Sequence, residues 1–226
     1  MSAHPGLAPR GDKNSRHRVS EEIEQMILAG SFRPGQKLLQ QQLAKQFGVA
    51  LGVLRESLLE LKATGLVEVV DNVGMFVAEL DARRVLEAFE IREVHEGLAA
   101  RLCCQRASRE TLRELRVLVE EIHELARQGK TELAANKDRE FHHRIVEIAG
   151  NETLERLTES FRVLTLVLGM SSDVTIVHEA HTAILTAIED NRPDDAERLM
   201  REHIRSARSM IEQQILEGTF SPQWVK

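Results

Sequence analysis

The chain has 226 residues, enough for one large domain or for two smaller ones with a core each. Hydrophobic residues make up 42% and charged residues 29%, and tyrosine is absent, a composition that favours a globular, mostly α-helical protein. The net charge of −6 arises in residues 81–226, which hold 21 Lys and Arg against 27 Asp and Glu, whereas residues 1–80 hold nine of each. This asymmetry suits a first part that faces a nucleic acid and a separate acidic body.

The first eighteen residues are basic and carry no apolar run that could act as a signal peptide or membrane span. We therefore expect a cytoplasmic protein without membrane contact, in which residues 1–18 form a disordered basic arm. Arg16 and Arg18 in this arm would follow a groove or phosphates of DNA. A basic tail without a specific role is equally consistent with the sequence.

A short helix is predicted to begin after the arm. Ser20 is a good N-cap, three glutamates follow it near the positive end of the helix dipole, and the apolar face ends at Gly30. Pro34-Gly35 then predicts a turn, and Leu38-Leu39 a brief extended segment.

Two further helices are predicted to meet at a tight turn, one over Gln41 to Phe47 and one over about Gly52 to Thr64. Leu66 to Val70 and Met75 to Val77 then predict two short strands around a turn. This order of elements is that of a winged helix-turn-helix, which we assign to residues 19–79.

Beyond residue 80 the apolar residues repeat at helical spacing, without strand-like alternation or a long linker. Ser108 and Asn151 stand before helix starts and Gly150 after a helix end. An antiparallel bundle of six helices is therefore predicted for residues 80–226. The helices are Ala82 to Ala107, Arg109 to Gln128, Glu132 to Ala149, Glu152 to Gly169, Val174 to Asp190 and Pro193 to Leu216.

Four residues of metal-ligand type lie in this second part. Asp138 and His142 are four residues apart on one predicted helix and leave the same face, and His181 and His203 lie on two later helices. Three imidazoles and one carboxylate suit a divalent metal, most of all zinc, with nickel, iron and manganese as alternatives. Nine histidines in a helical protein also produce such spacings by chance, so the pattern alone leaves both interpretations open.

Motifs in both parts resemble a family of bacterial transcription regulators. The DNA-binding domain of the GntR family is similar at Pro34-Gly35, Leu43-Ala44, Gly48-Val49, Leu54-Arg55-Glu56 and Gly65-Leu66-Val67. The FCD effector domain of the FadR subfamily, in its shorter VanR-like form, is similar at Arg92 with Glu96, Asp138 to His142, Gly150-Asn151, His181 and Met200 with His203.

The resemblance implies a ligand pocket in the helical domain. In the family, the aspartate and the three histidines at these positions bind a divalent metal, and a small organic acid above it reaches the metal with its carboxylate. Arg92 would be a second anchor for the acid and His95 a further polar contact. Arg92 could equally form a structural pair with Glu96, and His95 could be satisfied within its own helix.

The resemblance also implies DNA contacts, although this chain departs from the family there. Ala50-Leu51-Gly52-Val53 replaces the usual opening with Ser-Arg and a proline, and Val73 precedes the wing glycine where a basic residue is common. For Arg55 a surface ion pair is the alternative to DNA binding. The DNA contacts would come from Arg55, Ala50, Gly52, Gly74, Arg16 and Arg18.

Taken together, the sequence predicts a metabolite-responsive, homodimeric transcription regulator, not an enzyme. Binding of the small organic acid would change the packing of the helical domain and, with it, the spacing of two winged helices on a palindromic operator. In the family, repression that a ligand relieves is the commoner mode of action, but this sequence does not decide between a repressor and an activator. Two alternatives remain open: a metal-dependent enzyme that uses the Asp and His site to activate water, and a dimerisation module with a structural metal.

Overall fold

The computed structural model of the protein describes residues 13–79, 82–165 and 174–220, and their side chains except at residues 13, 14 and 159–165. Within these ranges the chain forms nine helices and three strands, in two compact units, Met1–Glu79 and Leu80–Lys226. The predicted class, a winged helix-turn-helix followed by a helical domain, is confirmed. Among the described helices, none has both the length and the apolar character needed to span a bilayer.

The first unit has three helices and a three-stranded sheet. Its elements are α1 (Lys13–Leu28), β1 (Lys37–Leu38), α2 (Gln40–Phe47), α3 (Leu51–Ala63), β2 (Val67–Val70) and β3 (Gly74–Val77). Gly48 ends α2 at a φ of 64°, a left-handed conformation that permits the tight turn into α3. The antiparallel strand order is β1-β3-β2, so the predicted hairpin gains a third strand. That strand includes buried Leu38 but not exposed Leu39, which corrects the predicted extended segment by one residue.

Helix α1 begins earlier than predicted. Residues 13–18 are helical, so the prediction of a disordered arm is wrong for them, while residues 1–12 lie outside the described residues. Ser20 is buried inside the helix and does not cap it. The extra turn is held by α3, because Arg16 pairs through Nε with Oε1 of Glu60 at 2.6 Å and its carbonyl accepts a hydrogen bond from Oγ of Ser57. Tertiary contacts thus extend the helix past its local start signal.

The second unit is a bundle of six helices within the described residues. They are α4 (Ala82–Arg106), α5 (Arg109–Arg127), α6 (Thr131–Ala149), α7 (Glu152–Thr165), α8 (Val174–Glu189) and α9 (Pro193–Leu216). Five of the six end within a residue of their predicted limits, and the predicted end of α7 at Gly169 lies outside the described residues. The Ser108 side chain caps α5, and Oδ1 of Asn151 accepts from the backbone N–H groups of Thr153 and Leu154 at the start of α7.

Apolar side chains fix the rotation of the helices that carry the predicted metal ligands. Phe141 on α6, Ile184 on α8, and Met200 and Ile204 on α9 are all fully buried. Burying one such side chain stabilises the fold by about 1.5–3 kcal/mol. Because α4 packs against α6, α8 and α9, the polar residues next to these anchors are turned toward the same interior region.

Candidate metal centre and DNA-facing surface

The four predicted metal ligands meet inside the second unit. Asp138 and His142 come from α6, His181 from α8 and His203 from α9, and one ligand atom of each lies within 4.8 Å of all the others. Nε2 of His203 is 3.2 Å from Nε2 of His181 and 3.3 Å from Nε2 of His142. The Asp138 carboxylate is 3.3 Å from Nε2 of His181 through Oδ1 and 3.9 Å from Nε2 of His142 through Oδ2.

These separations suit a common ion. Two ligand atoms bound at 2.0–2.1 Å in a tetrahedral arrangement lie roughly 3.3–3.4 Å apart. The two contacts between imidazole nitrogens and the contact between Asp138 and His181 fall close to that value, while the contact between Asp138 and His142 is longer. The donor set, three nitrogens and one oxygen, is that of zinc and other borderline divalent metals.

Hydrogen bonds among the histidines explain the cluster less well than a cation does. Nε2 of His203 contacts two other Nε2 atoms, but a neutral ring nitrogen has either one proton or one lone pair. If the proton of His142 is on Nδ1, Nε2 of His203 can complete only one of its two contacts as a hydrogen bond. A cation at the centre would engage all three lone pairs at once.

Burial keeps two of these imidazoles neutral. Burial is the largest cause that lowers the pKa of His181 well below its ordinary value, followed by the positive charges that His142 and His178 would carry. His203 keeps some exposed surface, yet its imidazole is deep enough for burial to lower its pKa well below the ordinary value too, aided by His181 and His142. Neutral imidazole is the form that binds a metal.

The sequence did not predict the role that Glu96 takes beside the cluster. This buried residue on α4 places Oε2 at 2.7 Å from Nδ1 of His142 and accepts a hydrogen bond through Oε1 from Nε of Arg92 at 2.6 Å. The predicted alternative for Arg92, a pair with Glu96, is therefore present. This pair uses Nε of Arg92, so it does not by itself prevent an acid from binding to the terminal nitrogens of the guanidinium.

Two further histidines of the second unit, His95 and His178, have different surroundings. His95 is buried on α4, and its pKa is lowered, first by burial and then by nearby Arg92 and His142, although Glu96 opposes this. His178 lies outside the cluster and faces α5, where its ring is 4.1 Å from that of His123 and its Nε2 is 3.7 Å from Glu120. The histidine of α8 that joins the cluster is therefore His181 and not His178.

On the first unit, three of the predicted DNA-binding residues lie on one exposed helix end. Ala50 precedes α3 in an extended conformation, and Ala50, Gly52 and Arg55 are all exposed. Nε of Arg55 donates to Oε1 of Gln40 at 2.9 Å, so its partner among the described residues is a neutral amide. No pattern in the sequence pointed to Gln40.

The other predicted DNA-binding residues have more constrained surroundings. Gly74 begins β3 at a φ of 138°, and exposed Lys37 on β1 packs beside it and over the ring of Phe76. Lys37 thus brings to the wing a positive charge that Val73 does not supply. Arg16 is paired with Glu60, and Arg18 is paired with Glu22 at 2.5 Å, both on helical backbone.

Comparisons with known proteins agree with this two-unit organisation. Residues 15–77 match the model of the bacterial regulatory proteins of the gntR family, and residues 87–206 match that of the FCD domain. The Nta operon transcriptional regulator of Aminobacter aminovorans is 30% identical over 184 residues, 80% of this chain and 86% of that protein. The probable D-xylose utilization operon transcriptional repressor of Paenarthrobacter nicotinovorans is 30% identical over 191 residues, 83% and 84% of the two chains. The solved structure of E. coli McbR/YncC has the same fold, with a TM-score of 0.69 at 21% identity over 89% of this chain and 98% of that one.

Proposed function

The chain belongs to the gntR family of bacterial regulatory proteins and carries an FCD domain, and we propose that this domain binds a divalent metal and a small organic acid that set the affinity for operator DNA. The protein itself is a DNA-binding transcription regulator of the FadR-like type. Acting on chromosomal DNA, it would work as a homodimer in the bacterial cytoplasm.

One observation carries the metal proposal. Ligand atoms from three separate helices lie at the spacing that a bound ion requires, in surroundings that keep imidazoles neutral. Zinc fits the donor set best, and nickel, iron or manganese would also bind to it.

The acid proposal is supported by the charge and exposure of the residues around the cluster. Asp138 and His203 are partly exposed, while His181 is fully buried, so an acid would approach from the side of the first two. Arg92 supplies a positive charge from α4, and His95 lies one turn along the same helix. A carboxylate bound by both a metal and a guanidinium would change the packing of α4 against the ligand helices.

The homodimer proposal is supported by an exposed apolar stripe on α4. Ile91, Val94 and Leu98 follow one another at spacings of three and four residues and have 51%, 53% and 38% of their surface exposed. Covering such a stripe with a second copy would remove it from water and present two winged helices to a palindromic operator.

DNA affinity with and without acid tests the regulator proposal. Fluorescence anisotropy with labelled DNA from the region upstream of the protein's own coding sequence should detect a specific complex, and one of a panel of small carboxylic acids should change its affinity by 5- to 150-fold, a coupling of about 1–3 kcal/mol. The absence of a specific complex under every condition would refute the proposal.

Metal content tests the site. Purified protein should carry one divalent ion per chain by elemental analysis, and His181→Ala should lose it. His178→Ala is the matched control, because His178 is a histidine of the same helix that faces α5 instead of the cluster. Equal metal content in both variants would exclude this set of ligands.

A structural metal is a second candidate, favoured by the presence of four protein ligands, the usual number in structural zinc sites. Chelation would then lower the unfolding temperature without changing DNA affinity, whatever acid is present. The metal-dependent enzyme has less support, since the relatives named above are regulators.

A further inference from the structure

Glu96 is a buried carboxylate whose two oxygens point to different partners. Oε1 accepts from Nε of Arg92 at 2.6 Å, and Oε2 lies 2.7 Å from Nδ1 of His142. Neither Oε2 nor Nδ1 has a well-formed hydrogen bond to another described group, so each is the nearest partner open to the other. The distance itself is that of a charge-assisted hydrogen bond.

This contact decides which nitrogen of His142 holds the proton. An ionised carboxylate only accepts hydrogen bonds, whereas a neutral imidazole has one N–H and one lone pair. With Oε2 of Glu96 at Nδ1, the proton belongs on Nδ1, and the lone pair of Nε2 is directed at Nε2 of His203, 3.3 Å away. That tautomer is the one that binds an ion at the centre of the cluster.

Arg92 holds Glu96 in place as the acceptor of this hydrogen bond. Nε of Arg92 donates to Oε1 of Glu96 at 2.6 Å, and the positive charge of this buried guanidinium favours the ionised form of the carboxylate. The guanidinium of Arg92 also lies over the ring of Phe89, 4.7 Å from its centroid, which restricts its orientation. An ionised carboxylate is thereby held in the interior of the bundle.

We infer that Glu96 is a positioning residue for the metal centre, holding His142 in the tautomer with Nδ1 protonated, and that Arg92 acts through Glu96. The inference rests on the proposed metal function for its purpose, but the tautomer itself is a property of the metal-free protein. Arg92 has this role before any acid is bound, in addition to the effector contact proposed above.

The first test measures the tautomer directly. The imidazole ¹⁵N shifts of His142 in the metal-free protein, at a pH of about 8 where ordinary imidazoles are neutral, should show a protonated Nδ1 and an unprotonated Nε2. Glu96→Gln should shift the population toward protonated Nε2, since an amide can donate to Nδ1. A wild-type protein with protonated Nε2, or a variant with an unchanged population, would overturn the inference.

The second test measures metal affinity. In competition with a chelator, Glu96→Gln should bind Zn²⁺ and Co²⁺ 10- to 100-fold more weakly than the wild type, the usual cost of losing a residue that orients a ligand. Glu96→Asp, which keeps a carboxylate, should recover part of the loss. Unchanged affinity in Glu96→Gln would count against the inference.

Glu93→Gln is the matched control, because Glu93 lies on the same helix and loses an equivalent pair, with Arg205 at 2.5 Å. It should retain both the tautomer and the affinity, and equal losses in both glutamate variants would indicate a general effect on helix packing.

If the wild type binds neither Zn²⁺ nor Co²⁺, the proposed metal function fails, while the tautomer of His142 still tests the role of Glu96. If Glu96→Gln does not fold, Glu96→Asp and the wild-type tautomer decide the question.

Discussion

Arg55 and Arg16 carry the same charge but differ in how much of it is available to DNA. Arg16 is engaged by the carboxylate of Glu60, so a phosphate would have to replace an existing ion pair. Arg55 is exposed and bonded to the neutral amide of Gln40, which leaves its charge uncompensated in this contact. Phosphates should therefore attract Arg55 more strongly than Arg16.

Replacing Arg55 tests this difference. Arg55→Ala should weaken operator binding by about 1–3 kcal/mol if the guanidinium contacts a base, and should reduce the salt dependence of binding by about one phosphate if it contacts the backbone. Anisotropy titrations at several salt concentrations separate the two. Lys62→Ala, an exposed position in the last turn of α3, is the control and should change neither quantity. Intact affinity in Arg55→Ala would mean that another surface binds DNA.

The buried imidazoles predict how stability depends on pH in the metal-free protein. The pKa values of His181 and His203 are lowered by burial in the folded state, so the unfolded chain binds more protons as the pH falls below about 6.5. Stability should therefore be nearly constant above pH 7 and should fall below it, by up to about 1.4 kcal/mol per pH unit for each imidazole.

Urea unfolding between pH 5 and 8, in the presence of a chelator, measures this dependence. His143→Gln is the control, because His143 is a partly exposed histidine of α6 outside the cluster, and this variant should preserve the curve. Stability that stays constant down to pH 5 would contradict the lowered pKa values.

Residue roles were less accessible from sequence than residue identities. The spacing of Asp138 and His142 on one helix indicated a shared face, and the structure brings both together with His181 and His203. The contact of Glu96 with His142 joins α4 to α6, and helical periodicity within either segment carries no information on such a pair. The pairing of Gln40 with Arg55 joins two helices in the same way.

At the scale of single elements, local signals predicted helix ends well except where another helix intervened. Ser108 and Gly150 act at the predicted ends because capping depends on residues a few positions apart. Ser20 has the same chemical character as Ser108, but α3 stabilises the backbone before it, so the helix continues through it. A cap residue marks a start only where no tertiary contact extends the helix.

The turn between α2 and α3 offers a prediction about backbone conformation. Gly48 has a φ of 64° and open space where a side chain would begin, so Gly48→Ala would suffer no clash but would cost about 1–2 kcal/mol for the left-handed conformation. Gly52 has equally open space inside α3, and Gly52→Ala should stabilise the helix by up to about 1 kcal/mol.

Hydrogen exchange in the α2 and α3 segments of the full chain measures both effects. Exchange should become roughly 5- to 30-fold faster in Gly48→Ala and should slow or stay unchanged in Gly52→Ala. Similar changes in the two variants would show that the left-handed φ of Gly48 does not determine the effect of an added methyl group.

At the scale of the whole molecule, one helix, α4, carries both the apolar stripe and two residues beside the candidate metal centre, Arg92 and Glu96. Helical geometry puts Ile91, Val94 and Leu98 on the face opposite Arg92 and Glu96, so α4 contributes one side to the ligand cluster and the other to the exposed stripe. A change at the metal that moves α4 would therefore be felt at the proposed dimer contact, which offers a physical route from effector to operator.

Disrupting the stripe tests that route. Val94→Glu places a charge in the centre of the proposed contact and should shift the protein from dimer to monomer in sedimentation velocity, because an unpaired charge is costly to bury. The monomer should retain its metal, since Val94 faces away from the cluster, and should lose most of its affinity for a palindromic operator. Val117→Glu is the control, because Val117 is equally exposed, at 57%, but lies on α5. A Val94→Glu protein that remains dimeric would place the interface elsewhere, and one that becomes monomeric but still binds the palindrome tightly would separate dimerisation from operator recognition.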